Sequence, residues 1–153
     1  MNKSEILSAI LSKLREEFEA RQSTSKKVRQ AGNDGESKAE GKYDTRSTEE
    51  NYLADGLARQ AQVALEAANQ LENLKLRDFA PDEAIDKGAL VKLDFGAVQE
   101  WFFLAPAGGG TEIETADGLL TVVTTESPLG SGLMGKKQGN KLTHPAAKIL
   151  EVR

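Results

Sequence analysis

Residues 53–74 read LADGLARQAQVALEAANQLENL, and this stretch indicates the architecture of the first half of the chain. Its apolar residues recur in steps of three and four, the spacing that places them on one face of an α-helix. Residues 1–28 repeat this pattern, so the two apolar stripes are expected to bury each other. The stripes comprise Leu7, Ile10, Leu14, Phe18 and Val28 in the first stretch and Leu53, Leu57, Ala64, Ala67, Leu71 and Leu74 in the second.

The simplest arrangement of these stripes is an antiparallel helical hairpin, a coiled coil. Facing residues in such a pair have numbers with a constant sum, and Leu7–Leu74, Phe18–Ala64 and Val28–Leu53 give 81 or 82. The turn is therefore predicted near residue 40. Gly32, Asn33, Asp34, Gly35 and Gly41 supply turn-forming residue types there. Helices of about 25–30 residues would extend roughly 40 Å from base to turn.

Two sequence signals mark helix starts. Asn2 with Glu5 and Ser47 with Glu50 have the spacing of capping boxes. The apolar stripe becomes more polar towards the turn, where Arg21, Gln22, Ser25 and Gln60 occupy or flank the seam. We therefore expect a well-packed base and a more mobile far end.

The second half of the chain differs from the first in composition, since all four prolines and 10 of the 14 glycines follow residue 80. The predicted domains are a helical hairpin over 1–77, a linker over 78–88 that Pro81 forces out of the helix, and a β-rich domain over 89–153. Strands are predicted over 89–95, 100–105, 119–124 and 148–152, with loops at 108–110 and 116–118. A short helix is predicted over 127–137, with Ser127 as its cap and Pro128 in its first turn. The fold class is therefore α+β.

Composition excludes several classes of function. The 153 residues carry a net charge of -4, which argues against a protein that grasps duplex nucleic acid. The absence of cysteine removes disulfides and thiolate metal sites, and His144 is the single histidine. No apolar run approaches the length of a membrane span, so no membrane partner is expected.

An acidic segment surrounds the predicted turn, and we call residues 34–46 the acidic tip. Carboxylate oxygens suit hard cations such as Mg²⁺, which accepts one or two protein carboxylates and keeps several waters. Structural alternatives stand beside this interpretation: Asp34 suits a turn, Asp44 a helix cap, and Glu49 and Glu50 the first turn of the second helix. Glu36 and Glu40 could equally be solvated surface residues.

A second motif adds a family resemblance. Residues 127–140 read SPLGSGLMGKKQGN. The chain resembles the Gre family of bacterial transcript-cleavage factors, which carry such a Ser-Pro, an apolar helix, a Gly-Lys-Lys and a Gly-Asp/Asn before a last strand. The order of a helical hairpin, a linker and a small β-rich domain also matches. The resemblance covers the chain, most strongly over residues 118–153.

The resemblance implies a function. The second domain would have an FK506-binding-protein-like fold and dock on core RNA polymerase, through Ser127, Pro128, Leu129, Lys136 and Lys137. The hairpin would enter the polymerase secondary channel, where tip acids help hold a Mg²⁺ shared with the polymerase during hydrolysis of backtracked RNA. The factor would have no cofactor of its own, contact RNA only through the polymerase, and be a cytoplasmic monomer and accessory factor, not an enzyme.

The acidic tip departs from the family pattern Gly-Asp-x-x-Glu-Asn followed by an aromatic residue. Glu40 falls at the family glutamate, Ser37 at the aspartate and Gly41 at the asparagine, and Tyr43 lies about one residue from the aromatic position. We take Glu40, Asp44 and Glu36 as the tip acids that would assist catalysis, with Glu40 and Asp44 as the Mg²⁺ ligands. The alternative is a channel-binding regulator without cleavage activity. A prolyl isomerase or chaperone rests on fold analogy alone, and a plain coiled-coil adaptor leaves the C-terminal motif unexplained.

Other conspicuous residues have structural explanations. Trp101, Phe102 and Phe103 are expected to pack in the core on both faces of a strand, although one of them could be a docking aromatic. Lys136 and Lys137 suit either a solvated turn or an acidic partner surface. The three glycines at 108–110 lack the following helix and lysine of a phosphate-binding loop.

Overall fold

The computed structural model describes residues 1–38 and 45–153, with side chains for residues 1–34 and 47–153. Two long helices precede a β-rich domain, which confirms the predicted α+β class. The elements are α1 (Lys3–Lys38), α2 (Thr45–Glu72), β1 (Leu90–Asp94), β2 (Gln99–Ala105), β3 (Glu112–Thr115), β4 (Gly118–Thr124), α3 (Pro128–Leu133), β5 (Lys141–Thr143) and β6 (Ala146–Val152). No described helix is long and apolar enough to cross a bilayer.

The chain divides into two compact units. One consists of residues 14–66, which form the greater part of the hairpin. The other combines residues 1–13 with residues 67–153, so the first turns of α1 and the last turns of α2 belong with the sheet.

Side chains between the helices in the unit of residues 14–66 confirm the antiparallel pairing. The Ser25 hydroxyl donates to the Ala54 carbonyl oxygen at 2.7 Å, and the Ser47 hydroxyl donates to the Gly32 carbonyl oxygen at 3.2 Å. Arg29 forms an ion pair with Asp55. The facing residue numbers in these three contacts sum to 79, 79 and 84, which brackets the predicted 81–82.

Residues 32–35, which the sequence suggested as turn-forming types, lie within α1, because the helix continues through them to Lys38. The turn predicted near residue 40 lies outside the described residues. Gly32 is buried, and a Cβ at that position would lie 3.3 Å from both Cβ and Oε2 of Glu50. The glycine therefore permits close approach of two helices. Tertiary packing here overrides the local turn preference of Gly, Asn and Asp.

One of the two predicted helix caps is present and the other is not. Asn2 does cap α1, since its Oδ1 accepts from the backbone N–H of Ser4 at 2.9 Å and of Glu5 at 3.4 Å. Ser47 does not cap α2, because the helix already begins at Thr45 and the Ser47 hydroxyl is used across the hairpin. The helix α2 ends at Glu72, five residues before the predicted 77, and the chain runs on to bury Phe79 in the core of the sheet domain.

The sheet has six strands in the order β3-β4-β2-β1-β6-β5. The pairing of β2 with β4 is parallel, and the other neighbours pair antiparallel. All four predicted strands are present. The two edge strands, β3 and β5, were not predicted.

Aromatic residues of β2 are buried on both faces of the sheet, as the core-packing interpretation expected. Phe102 belongs to the main apolar cluster and makes an edge-to-face contact with Phe95, with ring centroids 6.2 Å apart. Trp101 lies on the opposite face and is 4% exposed, with the Lys92 ammonium 5.7 Å and the Arg153 guanidinium 5.1 Å from its ring. The buried cluster comprises Phe79, Ile85, Ala89, Val91, Leu93, Phe102, Leu104, Leu133, Leu142, Ala147, Ile149 and Val152.

The helix α3 has the predicted start but ends at Leu133 rather than 137. The Ser127 hydroxyl accepts from the Gly130 N–H at 3.0 Å and donates to the Thr124 carbonyl oxygen at 2.8 Å. A Cβ at Gly130 would lie 1.8 Å from that same oxygen. The chain leaves the helical conformation at Met134, whose ψ is 127°, and Gly135 follows with a φ of +77°, which favours glycine. The sequence Ser-Pro-Leu-Gly therefore encodes a tight strand-to-helix junction.

Replacing Gly130 with Ala should destabilise the sheet domain by about 2–4 kcal/mol, because the methyl group must displace backbone at Thr124. Gly132→Ala is the matched control, since the same helix has open space there. Urea unfolding of both variants measures the difference. Equal stability of the two variants would contradict this account of the junction.

Candidate functional site: the hairpin end and the α3 surface

The described residues flank the acidic tip on both sides, in α1 and in α2. Glu36 lies within α1, but its side chain is outside the described residues, as are Glu40 and Asp44 altogether. Contacts close to this segment include the hydrogen bond from the Ser47 hydroxyl to the Gly32 carbonyl oxygen and the close approach of Gly32 to Glu50. The described helices are therefore still paired a few residues before Lys38 and after Thr45.

The acidic residues flanking this point have different surroundings. Asp34 and Glu49 are exposed, whereas Glu50 is half-buried against α1. Glu49 and Glu50 follow the first turn of α2, so the predicted favourable position at the helix N-terminus is wrong. Within the described side chains, no group of three His, Cys, Asp or Glu residues could hold a metal ion. The predicted Mg²⁺ ligands Glu40 and Asp44 lie outside the described residues.

The five predicted docking residues lie at α3 and the turn that follows it. Ser127 is engaged in the helix cap, and Leu129 packs against the apolar cluster. Pro128, Lys136 and Lys137 are exposed. The Lys136 carbonyl oxygen accepts from the Ile85 N–H at 2.8 Å, and the Lys137 N–H donates to Asn140 Oδ1 at 2.9 Å. Ser127 and Leu129 thus have structural roles, whereas Pro128, Lys136 and Lys137 have exposed side chains that could contact a partner.

A polar cluster near the start of α1 escaped prediction from sequence. The Lys3 ammonium donates to the Arg77 carbonyl oxygen and lies 4.7 Å from the centre of the Phe79 ring. The Arg77 guanidinium lies 3.9 Å from the same ring and pairs with Glu83. The one sequence feature that could have indicated this cluster is Lys3 itself, a charged residue that lies one helical turn before Leu7 of the apolar stripe.

Burial perturbs the acid–base behaviour of this cluster. Burial, reinforced by the nearby Arg77 charge, lowers the pKa of the Lys3 ammonium from its ordinary 10.5 to about 8, against the opposing effect of Asp78 and Glu83. The hydrogen bond from Arg77 and another from the Ala80 N–H lower the pKa of the Glu83 carboxyl. The cluster ties the chain beyond α2 to the start of α1. It borders an open groove of about 350 Å³, which is lined by Met1, Asn2, Lys3, Ser4, Leu76, Arg77, Asp78 and Arg153.

Comparisons with known proteins give structural neighbours only. No protein-family model and no curated protein matches the chain. The GreA factor homolog 1 (Gfh1) of Thermus thermophilus is similar to it at 14% identity and a TM-score of 0.38, over 97% of this chain and 93% of that one. The Gfh1 of Thermus aquaticus is similar at 16% identity and a TM-score of 0.38, over 95% and 92%. Likeness of this degree does not place the chain in a family.

Gly32→Val should loosen the far end of the hairpin, because a branched side chain would crowd Glu50, whose Cβ lies 3.3 Å from the position of the first added carbon. The expected loss is about 1–3 kcal/mol, with faster amide exchange in residues 25–34 and 47–54. The matched control is Ala31→Val, since the neighbouring Ala31 is exposed and the same residue type is introduced. The packing account fails if both variants exchange alike.

The Lys3 pKa predicts that stability rises with pH between about 8 and 10.5. In that range the unfolded chain holds a proton that the folded chain has lost, so raising the pH favours the folded state. The contribution of Lys3 should disappear in Lys3→Met, and the variant should be the less pH-dependent protein in urea unfolding at pH 7.5 and 10. Lys87→Met, at an exposed turn, should keep the wild-type slope. A Lys3→Met slope equal to that of the wild type would contradict the perturbed pKa.

Proposed function

We propose that this protein is a bacterial transcription factor that binds core RNA polymerase and inserts its helical hairpin into the secondary channel. Its tip carboxylates would aid Mg²⁺-dependent cleavage of backtracked RNA by the polymerase. The factor itself would be an accessory protein that supplies ligands to a catalytic site held by the polymerase. The proposal combines the resemblance to Gre factors with the geometry of the described hairpin.

The observation that carries the proposal is the pairing of α1 and α2 up to Gly32 and Ser47. The sequence between Lys38 and Thr45 joins these two paired helices and contains Glu40 and Asp44, which supports the proposal that the two acids act at the end of the hairpin. At about 1.5 Å per residue, the 36 residues of α1 span about 54 Å. A long helical pair with acids at one end suits delivery of carboxylates into a narrow channel.

The docking role is proposed for the surface made by Pro128, Lys136 and Lys137. These residues are exposed, whereas Ser127 and Leu129 hold the helix that presents them. Adjacent lysines would attract an acidic surface on the polymerase and contribute mainly to the rate of association.

The tip carboxylates suit Mg²⁺ by their chemistry, since hard cations prefer oxygen ligands. Mg²⁺ bound by the polymerase would supply activation of the attacking water and stabilisation of the leaving oxygen. The contribution of this chain would be to bring Glu40 and Asp44, with Glu36 nearby, to that ion.

The alternative function is occupation of the channel without cleavage. The sequence feature that favours it is Ser37, which stands where Gre factors carry an aspartate. A factor with one tip acid fewer would still block the channel or alter pausing and initiation.

A cleavage assay on a backtracked elongation complex tests the proposal. The wild type should raise the cleavage rate above the polymerase's intrinsic rate, and Glu40→Ala or Asp44→Ala should lower the stimulation by about 10-fold or more, since each removes a charged ligand. Glu19→Ala, an exposed acid within α1, is the matched control and should act like the wild type.

Binding to core polymerase is measured on the same proteins. Binding without stimulation would support the alternative regulator. A folded wild-type protein that binds no polymerase would overturn both functions.

A further inference from the structure

The solvent-facing side of α2 carries a stripe that hairpin packing does not explain. Tyr52, Gly56, Arg59 and Val63 follow one another in steps of four, three and four, so they share one helix face. This face lies away from the buried Ala54, Ala61 and Ala64 that pack within the hairpin. Tyr52 is 72% exposed and Val63 is 65% exposed. We call these four residues the α2 stripe.

Gly56 makes a notch in the middle of this stripe. It lies in the interior of a 28-residue helix, where glycine is less favourable than alanine. Unlike Gly32, it has no neighbouring atom within 4 Å of a Cβ placed there. Its backbone is helical and its φ is not positive, so neither close packing nor conformation requires glycine. The absence of a side chain is therefore unexplained by the fold.

The notch opens onto a shallow groove with a cationic rim. Arg21, Gly56, Arg59, Gln60 and Val63 line this groove, which has a volume of about 310 Å³. Arg21 pairs with Glu17 at 2.7 Å. The exposed Arg59 has no ion-pair partner among the described side chains. Tyrosine and arginine beside an apolar side chain are characteristic of protein interfaces.

We infer that the α2 stripe is a protein-docking surface whose notch at Gly56 receives a side chain of an acidic, partly apolar surface of RNA polymerase. The inference rests on the proposed function. A guanidinium selects a carboxylate, which it can bind through two parallel hydrogen bonds. The exposed valine and tyrosine favour a protein over a phosphate backbone. The net charge of -4 of the chain also argues against RNA as the occupant.

Gly56→Ala separates docking from stability, because the two effects have opposite signs. The methyl group should raise the melting temperature by improving helix propensity and should weaken polymerase binding by filling the notch. We expect Kd for core polymerase to rise about 5–10-fold. Val63→Glu should weaken binding at least as much by placing like charge against an acidic partner, and Arg59→Gln should reduce the salt dependence of binding.

Ala58→Gly is the matched control. Ala58 is exposed on α2 outside the stripe, so this variant should lower the melting temperature and leave Kd within twofold. Binding is followed by anisotropy of a dye on Val98→Cys in the full chain, because the chain has no cysteine and Val98 is 54% exposed. Titration with a 20-nucleotide RNA alone tests the other class of occupant.

The outcomes of these binding measurements distinguish the docking surface from the proposed function. Weaker binding of Gly56→Ala and Val63→Glu to polymerase, with normal binding of Ala58→Gly, supports the inference. Wild-type affinity in both stripe variants overturns the docking surface and leaves the proposed function intact. Failure of the wild type to bind polymerase overturns both, and a loss seen only in RNA binding overturns the choice of partner.

Discussion

The hairpin depends on the close approach of its two helices where side chains are smallest. Gly32 leaves room for Glu50, the Ser47 hydroxyl reaches the Gly32 carbonyl, and the Ser25 hydroxyl reaches that of Ala54. Large apolar side chains, which bury the most surface, are concentrated nearer the base at Ile6, Ile10 and Leu71. Pairing at the far end is thus achieved by small residues and hydrogen bonds rather than by large buried apolar side chains.

The sheet domain uses a comparable constraint at the junction of β4 and α3. The backbone at Gly130 passes so close to Thr124 that only glycine fits, and Ser127 satisfies groups of both elements. Lys136 and Lys137, which follow the helix that starts at this junction, are exposed. Much of the motif that suggested the family resemblance therefore has a structural role, and its exposed positions are the ones left to recognise a partner.

Elements with a clear periodic pattern of apolar residues were predicted correctly from the sequence, and elements without one were missed. The hairpin and four strands were predicted because each has several inward residues, whereas the edge strands β3 and β5 bury only Ile113 and Leu142 and offer no alternation to detect. Local preferences misled where packing decided: Gly32 and Asp34 suggested a turn inside a helix, and Ser47 suggested a cap. The predicted tip ligands Glu40 and Asp44 remain predictions, while the contacts of Lys3 with Arg77 and Phe79 depend on a fold that no local pattern encodes.

The central claim is that the end of the hairpin reaches the polymerase active site through the secondary channel. Site-specific photo-crosslinking measures this most directly, with a photoreactive residue in place of Glu40 and a second variant carrying it in place of Lys136. The account predicts that residue 40 cross-links to the RNA 3′ end or to polymerase segments at the active site in a backtracked complex, whereas residue 136 cross-links to the outer rim of the channel. Cross-links from residue 40 confined to the polymerase exterior, with an intact complex, would contradict it.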